Sequence, residues 1–343
     1  MPFSSRWLFR NRMLFANLLA NLVSAVGVNA LIFPVSPLSG ELLLPQAALI
    51  DSLFTPAVFI VGIAVTLIYE RPIRRFIDRC PDGPGPAGEL PAGIGRRVLN
   101  EPIVLVVMDL SIWVFAAFFW SGVLWGLGQP TPVVLHAAGG SLSVGLITCT
   151  VAFFVLEHVS QKVWAPFFFP RGGLYQVPGT FRISIRVRLA ALLMACNLVP
   201  FLTTLTLYWR IRAAGLDAAE ALARMGTALT VNSLLFIVVG SWLLFIVGRN
   251  LATPFRAIIR TLREVSAGRF DRRVAVTTND EIGYTGDVIN AMTEGLRERE
   301  RLRLSLLLAQ EVQQRLLPAA APAFTGLDVA GASRYCDETG GDY

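Results

Sequence analysis

The side chains able to do chemistry are few, and several sit in unusual company. Asp109 lies about two turns inside an apolar run, and Glu157 and His158 close another such run. An ionisable group in hydrocarbon is costly, and where one occurs it marks a proton, cation or ligand pathway by default. Two readings stand for each. Asp109 senses a proton or cation, or it makes an interior hydrogen bond. Glu157 and His158 take part in sensing, or they are a hydrated pair at the membrane interface. Asn17, Asn21 and Ser24 share one helix face by their i, i+4, i+7 spacing and are expected to face the bundle interior and bond across helices. The four cysteines, Cys80, Cys149, Cys196 and Cys336, show no metal or disulfide spacing and read as buried or free thiols.

The elements that position these groups follow from composition. Of 343 residues, 54% are hydrophobic and 16% charged, against about a quarter charged in a soluble domain. Roughly 20 apolar residues in a helix cross the hydrocarbon core. Six segments qualify, near 13–33, 48–69, 103–127, 135–156, 189–208 and 228–248. The first is too long for a signal peptide and five more spans follow it. Arginine dominates the basic residues, with Lys162 the sole lysine. The basic residues cluster at the N-terminus (Arg6, Arg10, Arg12) and in the second and fourth connections, whereas the first and third connections have none. The fifth holds Arg210, Arg212 and Arg224, partly offset by Asp217 and Glu220. The positive-inside rule then places both termini in the cytoplasm, with Trp125 and Trp209 at outer ends. The net charge of +6 is spread between apolar runs, not gathered in an aromatic-laced patch, so nucleic acid is excluded as a partner and the bilayer is expected. The outer loops are too short for a folded sensor domain, so the input is a partner protein, something within the bilayer, or a ligand entering the bundle. The Pro/Gly-rich stretch 81–95 reads as a flexible linker. Two readings are open for the aromatic stretch 163–181: it lies along the membrane surface, or it packs against the helix ends.

After the sixth span, two amphipathic helices carry heptad stripes. The first is Phe255, Ile258, Leu262 and Val265; the second is Ile282, Thr285, Ile289, Met292 and Leu296. Each is about two heptads long and too short to stand alone in water, so each calls for a partner helix. The connector carries Gly268, Phe270 and Val274, and Asn279 or Asp280 is expected to cap the second helix. Pro254 near the first helix, Gly268 with Phe270 and Val274, the opening Asp280-Glu281-Ile282-Gly283, and Asn290 with Met292 together resemble the HAMP domain. The resemblance implies a parallel homodimeric four-helix coiled coil that converts motion of the preceding span into a change of packing, with Pro254, Gly268, Phe270, Val274, Asp280, Glu281, Ile282, Gly283, Ile289 and Met292 as relay positions.

Beyond Leu296 the heptad phase breaks, then resumes at Leu302 and Leu306, with a helix expected to Leu317 before Pro318. A strand-like segment from Gly326 to Cys336 follows. The run Ala309–Pro318, the segment Gly326–Gly331 and the closing Gly340-Gly341-Asp342-Tyr343 resemble the opening of a SpoIIE-type PPM serine/threonine phosphatase domain. The resemblance implies that Asp342 is a ligand for paired Mn²⁺ or Mg²⁺ ions, and that the substrate is a phosphoprotein such as an anti-sigma-factor antagonist. It also implies that the sequence stops at the threshold of the catalytic domain, whose other metal ligands are absent, so this polypeptide by itself is not expected to catalyse.

The expected fold is therefore mainly α: a six-helix transmembrane bundle (1–248), a HAMP helical hairpin (249–300), a helical linker (301–318) and the first strand region of an α/β phosphatase domain (319–343). The expected function is a multi-pass transducer of the bacterial plasma membrane driving that phosphatase. One alternative keeps the receptor and exchanges the output for another enzyme such as a nucleotide cyclase. Another is a transporter or channel with a regulatory tail, against which few paired intramembrane charges and no evident internal repeat argue. A histidine kinase is disfavoured because both histidines, His136 and His158, precede the relay.

Overall fold

The computed structural model describes residues 3–32, 45–81, 83, 90–170, 172–213, 215–316 and 325–326. The helices are α1 (Phe3–Arg10), α2 (Arg12–Ile32), α3 (Pro45–Arg79), α4 (Ala92–Gly126), α5 (Thr131–Val159), α6 (Ala165–Phe168), α7 (Ile185–Leu193), α8 (Val199–Ala213), α9 (Ala218–Ser266) and α10 (Glu281–Leu316). The chain divides into two compact units. The first is Met1–Arg256 with Ala275–Tyr284, and the second is Ala257–Val274 with Thr285–Tyr343.

In the first unit, five helical segments are long and apolar enough to cross a membrane: Pro45–Arg79, Gly93–Gly126, Thr131–Phe168, Ile185–Trp209 and Ala218–Ser266. The expected first span coincides with α2, a helix of 21 residues whose side chains are described only over Arg12–Val23, so five of the six expected spans are seen in full among the described residues. The helix α5 is central. Its apolar window is 56% buried against 6% for α3, because α4, α2 and α8 pack around it. A close approach makes this possible: a Cβ on Gly145 would lie 2.6 Å from that of Trp113, so only glycine lets α5 meet α4 there. The outward faces carry exposed Leu53, Ile60, Phe118, Leu234 and Phe245. In water such a surface would aggregate, whereas against lipid tails it has no cost.

Two π-helical turns interrupt the spans, Ser160–Trp164 after α5 and Met194–Leu198 between α7 and α8. The second sits just ahead of Pro200, which has no N–H to donate into the preceding turn. The aromatic stretch 163–181 packs against the helix ends and does not lie on the surface: Trp164, Phe168 and Leu174 are among the most buried side chains of the unit. Much of the Pro/Gly-rich linker 81–95 lies outside the described residues.

The last span was expected to lead straight into the relay, with Pro254 near the start of the first relay helix; α9 runs unbroken for 49 residues with Pro254 inside it. Proline removes one backbone bond, to the carbonyl of Asn250, and that alone does not end a helix whose flanks are strong helix formers.

In the second unit, α9 ends in a Schellman motif. Gly268 adopts φ 81°, its N–H bonds the Val265 carbonyl at 3.0 Å, and Arg269 N–H bonds the Glu264 carbonyl at 3.0 Å. Asn290 then clamps the connector. Its Oδ1 accepts from Val274 N at 2.7 Å and its Nδ2 donates to Val274 O at 3.0 Å, so an extended residue has both backbone groups satisfied by one side chain. The helix α10 continues without interruption to Leu316, so the expected phase break past Leu296 does not end or split it; it shows only in which side chains are covered. No strand occurs among the described residues, and the expected phosphatase strand region, with Asp342, lies outside them.

Candidate functional site

The most concentrated polar feature of the first unit is a clasp around the start of α10. Asp280 is its centre, 2% exposed. One carboxylate oxygen, Oδ1, caps α10 by accepting from Ile282 N and Gly283 N, both at 3.1 Å, and from the Thr278 hydroxyl at 2.6 Å. The other, Oδ2, accepts from Arg188 Nη1 at 2.5 Å. Asp280 is therefore the cap, and Asn279, the other candidate, is not. Arg188 lies in the first turn of α7 and reaches a second carboxylate with its other terminal nitrogen: Nη2 lies 2.5 Å from Glu157 Oε1, at the end of α5.

The docking is reciprocal. Glu281 Oε2 accepts from Ile185 N at 3.1 Å, placing a carboxylate at the amino end of α7, where the helix dipole favours one. Tyr284 meets Tyr175 with ring centroids 4.8 Å apart, and the Arg182 guanidinium lies 3.8 Å from the Tyr175 centroid. Gly283 is fixed by the same packing. A Cβ there would stand 1.9 Å from the Thr278 carbonyl oxygen, which no side chain permits. His158, the neighbour of Glu157, has its Nδ1 2.6 Å from Asn250 Oδ1 on α9, so with Oδ1 as acceptor the ring carries its proton on Nδ1. Two adjacent residues at the end of α5 thus hold α9 directly and the start of α10 through Arg188.

Glu157 is buried and His158 half-buried. Glu157 is 7% exposed, because the 163–181 stretch and α7 cover it, and a carboxylate so buried requires a charged partner. Beside the clasp is a cavity of about 50 Å³, lined by Glu157, Gln161, Arg188, Thr278 and Asn279 together with apolar side chains of α4 and α5. Arg188 Nε and both polar atoms of Asn279 lack protein partners, and the cavity has room for a few water molecules to serve them.

Asp109 stands apart from the clasp. Buried on α4, it accepts from Asn21 Nδ2 at 2.9 Å and Asn17 Nδ2 at 3.3 Å, which joins α2 to α4 as an interior hydrogen-bonded node. Ser24, the third residue of that face, lies outside the described side chains.

Of the clasp, Asn250 and the stretch from Thr278 to Tyr284 fall within residues 246–298, which match the model of the HAMP domain, whereas Glu157, His158 and Arg188 lie outside it. Residues 246–298 are a HAMP domain. Over 80 residues the chain is also 37% identical to uncharacterized proteins of Mycobacterium tuberculosis and Mycobacterium bovis, an overlap of 23% of this chain. The chain matches only 15% of the length of those relatives. No solved structure matches it.

Within the HAMP domain, the sequence-derived relay positions separate into two sets. Pro254, Ile258, Val265, Val274, Asp280, Ile282, Gly283 and Ile289 are buried. Phe255, Leu262, Thr285 and Met292 from the same heptad stripes are exposed, as is Glu281 despite its bond to Ile185, and Phe270 is half-buried. The covered face of α10 is completed by Thr293 and that of α9 by Thr261, neither of which the apolar pattern selects. Arg188 and Asn250 also escaped sequence reasoning. Arg188 carried a signal all the same: it is the last basic residue before an apolar span, close enough to be drawn into the bundle.

Proposed function

We propose that this chain is the membrane and relay portion of a multi-pass signal transducer of the bacterial plasma membrane, with both termini cytoplasmic and the HAMP domain paired in a parallel homodimer. The observation that carries it is the Glu157–Arg188–Asp280 clasp. A relay that merely hung from its preceding span would need no charged side chains of two other spans at the start of its second helix. With the clasp, any stimulus that shifts the ends of α5 or α7 acts on α10 directly, and α9 provides a second route through Asn250 and His158. A bistable coiled coil biased from two sides is the physical content of such a relay.

The output proposed is a metal-dependent phosphoserine/phosphothreonine phosphatase acting on a phosphoprotein such as an anti-sigma-factor antagonist. The support is the Gln-Arg-Leu-Leu-Pro run ending at Pro318 and the Gly-Gly-Asp-Tyr turn at 340–343. Among the described residues no group of three or more His, Cys, Asp or Glu side chains could hold a metal ion. The described residues thus do not by themselves fit the Mn²⁺ or Mg²⁺ pair of such an enzyme, and no reaction step is assigned to it.

The test uses the protein encoded by the complete gene, reconstituted in nanodiscs and supplied with Mn²⁺. Phosphate release from a phosphoserine protein supports the phosphatase output, and cyclic nucleotide formation from ATP or GTP overturns it in favour of a cyclase. For the relay, Met292→Cys should crosslink symmetrically in membranes, and absence of any crosslink there counts against the dimer.

A further inference from the structure

A second buried charged cluster lies where α3 ends and α4 begins, and the relay does not use it. Glu70 on α3 and Glu101 on α4 are both completely buried, and their carboxyls face each other. Arg74, one turn after Glu70, donates Nε to Glu70 Oε2 at 2.6 Å and Nη1 to Asn11 Oδ1 at 2.7 Å. Neither oxygen of Glu101, nor Oε1 of Glu70, receives a hydrogen bond from a nitrogen or hydroxyl donor. Of the two carboxyls, only that of Glu70 is paired with the Arg74 guanidinium. Both cannot be ionised in such surroundings without strong repulsion, and a buried carboxylate without a donor is unstable.

The missing positive charge has to come from solution. A hard metal cation would need about six oxygen ligands. Three unengaged carboxyl oxygens fall well short of that, and Asn11 Oδ1 is already taken by Arg74. A proton needs only the two facing oxygens. We infer that Glu70 and Glu101 bind a single proton between them, and that its loss forces the facing ends of α3 and α4 apart and loosens the clasp.

The route to the clasp is short. Asn100, the neighbour of Glu101, straps the segment leading into α7: its Nδ2 donates to Gly179 O at 3.1 Å and its Oδ1 accepts from Phe181 N at 2.8 Å. Leu99 and Pro102, on either side, line the cavity that Glu157, Arg188 and Asn279 also line. A shift of this turn of α4 is felt at Arg188 through packed atoms. The charged and titratable groups nearest the pair are Arg74 and Tyr69 from α3, and Tyr69 in turn has Arg96 and Arg97 of α4 around it. The Tyr69 hydroxyl donates to Arg97 O at 2.9 Å, and the Arg97 guanidinium lies 5.4 Å from the Tyr69 centroid. Further along α3, Asp78 is paired with Arg10 at 3.0 Å.

The proton site stands on its own geometry, and only its consequence rests on the relay reading. Infrared spectra of the whole chain in nanodiscs, titrated with acid and base, should show a protonated-carboxyl band that disappears as pH rises. Glu101→Gln, an isosteric neutral replacement, should remove that titrating component. Glu70→Gln is the second variant and should remove it too. A titrating band that persists in both variants overturns the site, as does a band that responds to sodium or potassium at fixed pH. Spin labels on Met292→Cys, with the native cysteines replaced by alanine, should report a distance between copies that changes with pH in the parent and is constant in Glu101→Gln. A pH response retained in Glu101→Gln overturns the coupling to the clasp. No measurable distance at any pH overturns the dimeric relay while leaving the infrared result to decide the site.

Discussion

Two successive stretches of the HAMP domain are held by opposite means. The segment Ala275–Tyr284 belongs to the membrane unit and is fixed there by charge: a capped aspartate, a buried arginine between two carboxylates, and a glycine pressed against a carbonyl. The segment from Thr285 onward belongs to the other unit together with Ala257–Val274. Asn290 closes on Val274, and Val288 and Met292 on α10, like Ile259 on α9, are left bare. The first arrangement is complete within one chain. The second leaves apolar surface that only another helix can cover, which is what a heptad stripe provides for. A relay needs both, one end attached to what moves and one end free to repack.

Substitutions can break this contrast. The largest effect is expected from Arg188→Ala, which strands Glu157 and Asp280 in a buried site, a loss of about 3–5 kcal/mol. Unfolding in mixed detergent should show it, and adding Glu157→Gln and Asp280→Asn should recover much of it. If Arg188→Ala unfolds like the parent, the clasp is not holding. Gly283→Ala comes next, at about 1–3 kcal/mol or more, because the new Cβ must displace the Thr278 carbonyl. Protease cleavage between 275 and 284 should rise with it. Asn290→Ala removes both bonds to Val274 and leaves its backbone groups unpaired, about 1–3 kcal/mol. Hydrogen exchange at Val274 reports this directly, and continued protection there would show that Asn290 is not the clamp.

Met292→Lys sharpens the comparison from the other side. The position is 47% exposed, so the stability of a single chain should change by less than about 0.5 kcal/mol while association between copies is lost. A stability loss as large as that of Arg188→Ala would erase the distinction between the two segments. The smallest effect belongs to Arg273→Ala. Its ion pair with Glu294 is 2.5 Å long but over half exposed on both sides, and about 0.2–1 kcal/mol is the most that such a pair contributes. A double-mutant cycle with Glu294→Ala measures it.

Much of this architecture was legible in the residue order. Apolar run length placed the spans, because hydrocarbon tolerates only helices with internally bonded backbones. The Asp-Glu-Ile-Gly opening and the Gly268 stop gave both ends of the connector, because caps and left-handed turns are local chemistry. The place of Pro254 inside one unbroken helix was not legible, since a proline inside a helix and a proline opening one look alike until the preceding turn is seen. Nor was the burial of Glu157. Its neighbours along the chain are those of an interface, and only α7 and the 163–181 stretch, folded back from further along the chain, close it off from solvent.

Sequence by itself determined which segments are helical, which faces are apolar, and that a HAMP domain follows the last span, because each depends on periodicity and near neighbours. Tertiary structure alone decided that Arg188, counted at first as one basic residue among many, joins Glu157 to Asp280, and that Glu70 meets Glu101. Those pairings link positions 92 and 31 residues apart for Arg188, and 31 apart for the glutamates. At such separations no local preference operates, and what selects the partners is the requirement that buried charges not be left alone.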